Sequence, residues 1–166
     1  TLDSSLARIM EPRASRPSNR LATMKVLNDA GVPTGVLAAP IIPAINDSEL
    51  EAILEASAES GACRADYIML RLPFEVKELF QNWLEVQFPD RTNRVLSLIR
   101  QSRGGKLNTA IFGSRMRGTG PYAEMLNKRY KLACRRFGLN RRIKSWDFDC
   151  SLFQLPLQVG DQMRLS

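Results

Sequence analysis

Residues 36–42, Val-Leu-Ala-Ala-Pro-Ile-Ile, form an apolar run without the alternation of a half-exposed strand. Such a run reads as a strand covered on both faces, as in a parallel sheet. Pro40 and Pro43 close it, and each removes an N–H from the ladder. Asn46-Asp47 then turns the chain. Ser48 followed by Glu51 has the capping-box spacing that opens a helix. That helix is expected to turn Leu50, Ile53, Leu54 and Ala58 inward and to carry Glu49, Glu51, Glu55 and Glu59 mostly outward, ending at Gly61. The unit is strand, loop, helix. Ligands of α/β proteins bind where the carboxyl ends of parallel strands feed such loops. Residues 40–47 are therefore the first candidate site.

The same periodicity predicts the other elements. A helix over 18–29 carries Leu21, Met24, Val26, Leu27 and Ala30 on one stripe, with Gly31 as its stop. Residues 66–72 form a second strand, closed by Pro73. Helices follow over 76–88 (Val76, Leu79, Phe80, Trp83, Leu84 inward) and 92–100 (Val95, Leu96, Ile99 inward). A fifth opens at Pro121 and stops at Gly138, with Tyr122, Met125, Leu126, Tyr130, Ala133 and Phe137 at three- and four-residue spacing. Residues 1–3 read as the end of a strand, 6–10 as about one helical turn, and 11–17 as a loop held open by two prolines. Strands separated by helices of this length are parallel, with right-handed crossovers. No repeat is present.

Composition narrows the class. At 44% apolar and 25% charged residues the chain is globular in type. No window holds the eighteen or so apolar residues of a membrane span. The start lacks the basic-then-apolar order of a signal peptide. It also lacks an initiator Met and begins in what reads as mid-element, so a fragment of something larger is expected. Cys63, Cys134 and Cys150 fit neither a disulfide framework nor a metal pattern, and read as buried or incidental thiols of a reducing cytoplasm. With no His, this stretch has no His-ligated metal and no Ser-His or Cys-His nucleophile.

Charge divides the chain. Residues 1–90 hold 8 Lys/Arg and 13 Asp/Glu, and residues 91–166 hold 16 and 4. The second part is thus suited to nucleic acid or another polyanion. Arg103-Gly104-Gly105-Lys106 and Arg115-Met116-Arg117-Gly118 combine basic side chains with glycine-exposed N–H groups, a natural phosphate contact. Arg135 and Arg136 extend the basic surface along the last helix. A solvated basic face is the competing account. No Walker pattern is present, because Lys106 is followed by Leu. Glu11, Arg13 and Arg16 follow the first expected strand end. With Arg71 they would gather on the rim of residues 40–47, where they read as salt-bridged loop charges or as a set holding a carboxylate or ribose. Tyr122, Trp83 and Trp146 read as packing residues, not stacking platforms.

Several stretches taken in order resemble a known family: Thr1-Leu2-Asp3, Leu6-Ala7-Arg8, Met10-Glu11-Pro12-Arg13-Ala14, Arg20-Leu21, Ala30-Gly31-Val32-Pro33, Ala39-Pro40-Ile41-Ile42-Pro43, Asn46-Asp47, Leu70-Arg71-Leu72-Pro73, Arg103-Gly104-Gly105-Lys106, Phe112-Gly113, Arg115-Met116-Arg117-Gly118 and Cys134-Arg135-Arg136. Together they resemble the radical S-adenosylmethionine proteins related to spore photoproduct lyase, described as DNA-repair photolyases. The resemblance implies a partial (β/α) barrel whose 4Fe-4S cluster, held by a CxxxCxxC loop, cleaves S-adenosylmethionine reductively to a 5′-deoxyadenosyl radical. That loop is absent from this chain, which would bind no cluster alone.

On this reading the fold class is α/β. Residues 1–90 are the C-terminal half of the barrel, 91–144 a basic, mostly helical extension, and 145–166 an irregular tail. Pro40, Ile41 and Pro43 would pass the adenosine of S-adenosylmethionine with their backbone, and Glu11 and Arg13 would face the same cavity. Ala44 stands where relatives often have Gly, which implies a slightly different loop shape. Expected partners are DNA or another polyanion, the missing N-terminal half-barrel, and a second copy through an uncovered sheet edge. The alternative is a non-catalytic nucleic-acid-binding α/β module.

Overall fold

The computed structural model describes residues 1–141. The readings made for Trp146, Cys150 and the tail 145–166 lie outside the described residues. The fold is mixed α/β. Six helices run in the order α1 (Ser4–Met10), α2 (Pro17–Asp29), α3 (Leu50–Glu59), α4 (Val76–Gln87), α5 (Thr92–Gln101) and α6 (Gly120–Phe137). Strands β1 (Gly35–Ile41) and β2 (Arg64–Met69) pair in parallel, with α3 as their crossover. The parallel β-α-β unit is thus as expected, but the sheet has two strands. No partial barrel is present among the described residues.

Two apolar clusters hold the elements together. The first lies between the sheet, α3 and α6 and includes Ala38, Ile41, Leu50, Leu54, Tyr67, Met69 and Leu126. The second lies beyond the carboxyl ends of the strands. There Ile42, Ile45, Leu70 and Leu72 meet Leu6 of α1, Leu84 of α4 and Val95, Leu96 and Ile99 of α5. Helix α6 runs antiparallel to β2. Its start, through Gly118, adjoins Met69 and Ser102, and the residues after its end, Leu139 and Asn140, adjoin Cys63 and Ala65.

Several sequence expectations need correction. Residues 1–3 are not a strand: the Asp3 carboxylate caps α1, accepting N–H groups of Ser5 (2.7 Å) and Leu6 (3.1 Å). The capping box at Ser48 does not form. A 3-10 turn, Asp47–Glu49, precedes α3, whose N-cap residue, Glu49, makes no side-chain capping bond. Glu49 instead accepts from the Thr1 hydroxyl and the Leu2 N–H, and Glu51 pairs with Arg129. β1 is covered on one face only, since Leu37 is 56% exposed while Ala38 and Ile41 are buried. β2 is shorter than expected. Leu70 still donates to the Ile41 carbonyl, but the Leu72 N–H leaves the ladder for Asn108. The apolar stripe of α2 is largely in solvent: Val26 is 67% exposed and Leu27 40%.

Candidate functional site

The loop leaving β1 is fixed from inside by Asn46. This side chain is buried; its Oδ1 accepts the Ile42 N–H (2.7 Å) and its Nδ2 donates to the Pro40 carbonyl (3.0 Å). The sequence had marked Asn46 only as a turn residue. From outside, α6 holds the loop. The Tyr122 hydroxyl donates to the Asp47 carboxylate (2.7 Å), and burial first, then that carboxylate, pushes the Tyr122 phenol well above its usual range. Arg129 donates to both oxygens of Glu51 and to the Asp47 carbonyl. The Glu51 carboxyl is held below its usual range chiefly by that Arg129 bond.

Ile41 and Pro43 are core residues, each under 2% exposed, and Pro40, after a cis peptide bond, is partly buried. Main-chain groups of this stretch are already engaged: the carbonyls of Pro40, Ile41 and Ile42 and the N–H of Ile42. What residues 40–43 offer a ligand is shape more than hydrogen bonds. The carboxyl end is also partly roofed by the second cluster. Ala44 adopts φ +58°, the left-handed conformation that Gly would favour.

Glu11 and Arg13 do not join this loop. Glu11 pairs with Arg20 (2.5 Å) at an exposed position, and Arg13 is exposed. No hydrogen bond or ion pair links either to residues 40–43 among the described residues.

The basic glycine-rich segment does pack on the carboxyl end. Met69 donates its N–H to the Met116 carbonyl (2.9 Å). Gly118, at φ +75°, lies so close to the strand that a Cβ would stand 3.2 Å from the Met69 sulfur and 3.0 Å from the Ser102 carbonyl. Arg103 is the residue that ties this joint. It is 4% exposed and donates to the carbonyls of Ser114 (3.1 Å), Arg115 (2.7 Å) and Leu70 (2.9 Å). Its guanidinium is spent inside the protein and is not a surface phosphate contact. Burial, then the neighbouring charge of Arg71, lowers its pKa.

The remaining cations separate into two groups. Lys106 is exposed and Arg115 half-buried at the carboxyl end, where the Arg115 guanidinium lies 5.1 Å from the Phe112 ring centre. Arg117 turns inward, pairing with Asp66 and lying 3.9 Å from the centre of the Tyr67 ring. Arg135 and Arg136 are exposed near the far end of α6, at the amino end of β2. Eighteen residues of helix span roughly 27 Å. The predicted six-residue basic set is therefore not one patch. An open depression lined by Tyr130, Lys131, Cys134, Arg135, Asn140 and Arg141 accompanies the far group.

The cluster implied by the resemblance does not fit the described residues. None of them forms a group of three His, Cys, Asp or Glu side chains able to hold a metal ion. Cys63 is exposed, and the buried Cys134 thiol is pushed up by burial. No helix among the described residues is long and apolar enough to cross a membrane.

Comparison with known proteins yields distant relatives. The chain is 30% identical over 101 residues to uncharacterized proteins of Mycobacterium tuberculosis and Mycobacterium bovis. The match covers 60% of this chain, which spans about 30% of the length of these curated relatives. No family model matches the sequence. No solved structure matches it.

Proposed function

We propose that this chain is the C-terminal part of a (β/α)-barrel protein of the radical S-adenosylmethionine type, acting on DNA or another nucleic acid. In it the loops at the carboxyl ends of β1 and β2 wall the cavity for adenosylmethionine and substrate. The observation that carries the reading is convergence. Four stretches behind the resemblance, around residues 39–43, 70–73, 103–106 and 115–118, are separate in sequence. In the fold they meet at one end of the sheet, joined by Leu70 to Ile41, Met69 to Met116, and Arg103 to Leu70, Ser114 and Arg115. That is the end where parallel α/β sheets place ligands.

The cluster itself, in this proposal, is held by a segment other than the described residues. The half-exposed sheet supports this view. β1 has no partner strand on its outer edge among the described residues, and Leu37 lies open on the uncovered face. An adjoining half-barrel would cover both.

The test is to sequence the coding region upstream of Thr1 and produce the longer protein. Anaerobic reconstitution with iron and sulfide, then a reductant and S-adenosylmethionine, is expected to give 5′-deoxyadenosine. Lack of a three-cysteine loop upstream, or no deoxyadenosine from a protein that has one, would overturn the reading.

A second reading, a nucleic-acid-binding module without catalysis, draws on the charge distribution. Between Arg91 and Lys144 there are 15 Lys/Arg and a single Glu. Its signature is oligonucleotide binding by this chain alone, weakening steeply with salt.

A further inference from the structure

Two of the most exposed apolar side chains among the described residues are phenylalanines of the carboxyl-end loops: Phe74, 88% exposed, and Phe112, 85% exposed. Single exposed apolar residues are common. These two differ in their setting. Phe74 sits at φ +47°, where a bulky side chain is rarely found. Backbone in such a conformation tends to mark a working site. Phe112 touches the Arg115 guanidinium and leads into Gly113, around which a Cβ would meet nothing within 4 Å. Gly104 and Gly105 are equally open. The loops carrying the rings are joined, since Leu72, two residues before Phe74, donates to Asn108, four residues before Phe112.

Positive charge is concentrated in the same place. Arg103 is buried among carbonyls, with no carboxylate partner among the described residues. Arg71 stands close enough to affect it; among the described residues its buried Nε has no hydrogen-bond partner, and its NH1 lies 3.9 Å from the Met116 sulfur. Arg71, half-buried beside Arg103 and with no carboxylate partner among the described residues, favours an incoming anion. Open rings beside such cations are the pairing that single-stranded nucleic acids use: bases stack on aromatics while the backbone follows the charges.

We propose that this loop cluster binds an unstacked nucleotide of a single strand, with its base on Phe112, Phe74 as a second ring on the same rim, and its phosphate at Arg71 and Arg115. This rests on the nucleic-acid part of the proposed function and is independent of the cluster chemistry. A base inside a duplex presents no free face to these rings, so single strands are preferred.

The test uses the full 166-residue chain. Fluorescence anisotropy is followed with a labelled oligothymidylate, single-stranded or annealed to its complement, over a series of salt concentrations. Single strands are expected to bind more tightly. Phe112→Ala should weaken single-strand binding about tenfold with the salt slope unchanged. Phe112→Leu, which keeps apolar bulk but no ring face, should weaken it similarly. Arg71→Lys should keep the slope, and Arg115→Ala should lower it by about 0.7. Arg136→Ala, at the other end of the sheet, should leave the Phe112 effect intact. Thermal melts of the Phe112 variants should match the parent.

Equal affinity for duplex and single strand, or wild-type affinity in Phe112→Ala, would overturn the proposal while leaving the broader nucleic-acid reading in place. No binding to any oligonucleotide would overturn both. A change of oligomeric state in Phe112→Ala would assign the rings to a protein contact and overturn it as well.

Discussion

Ala44 is the residue whose chemistry fits its backbone least well. It closes the segment after β1 at φ +58°, between the buried Pro43 and Ile45. A left-handed conformation costs a side-chain-bearing residue about 1–2 kcal/mol, and glycine avoids that cost at the expense of a more flexible unfolded chain. Ala44→Gly is therefore expected to stabilise the fold by about 1 kcal/mol, read as a shifted midpoint in urea with an unchanged slope. A destabilised variant would mean that the Ala44 methyl contributes more to the second cluster than its backbone costs. Asn46, two residues on, shows the opposite case. Its two hydrogen bonds satisfy main-chain groups that β1 abandons at its end, and its amide suits both because it donates and accepts.

Among the elements, α6 does the most joining. Tyr122 near its start holds Asp47, Arg129 in its middle holds Glu51, and Tyr130 donates to the Ala65 carbonyl of β2 (2.7 Å). Burial pushes the Tyr130 phenol up to about 12, so it stays a donor at physiological pH. The Arg129–Glu51 bridge has a definite pH signature. Its carboxylate is held below the usual 4.5, so the stabilisation is complete above that value and is lost as pH falls through the lowered one. With Glu51 40% exposed at its side chain, Arg129→Ala should cost about 1 kcal/mol at pH 7. The penalty should shrink in acid below about pH 4.5 in paired denaturation curves. A penalty independent of pH would assign the loss to the Asp47 carbonyl bond instead.

These elements also show how far the sequence could be read. The bounds of α2, β1, α4, α5 and α6 follow from apolar spacing and from Pro and Gly at their ends. β1 was read as covered on both faces because a run of apolar residues does not say which neighbours are present; the described residues cover one. The basic set looked like a unit because its members share a charge. Arg135 and Arg136 lie a helix length from the others, and the burial of Arg103 depends on a contact with Leu70, 33 positions away. Asn46 was legible only as a turn former, since its role lies in where its amide points.

At the scale of the whole molecule, the two ends of the sheet differ. The carboxyl end gathers Arg71, Arg103, Arg115 and the two open phenylalanines, while the amino end carries Arg135 and Arg136. The two edges differ as well. β2 is finished on its outside: Ala65 exchanges hydrogen bonds with the Asn140 side chain and receives the Tyr130 hydroxyl, and Met69 donates to Met116. β1 has no such cover among the described residues. That asymmetry sets a valence. A sheet with two free edges can add copies without end, as fibres do. With one edge sealed, a chain whose β1 edge stays open would offer a single docking site, and a pair of chains joined there would leave nothing to extend. Sedimentation of the 166-residue chain at rising concentration is expected to stop at twice its 18.7 kDa mass. A ladder of larger species would show that the seal on β2 opens. If association stops at the pair, Asn140, a single amide just past the last helix, is what limits growth: the residue that makes self-association terminate instead of propagate.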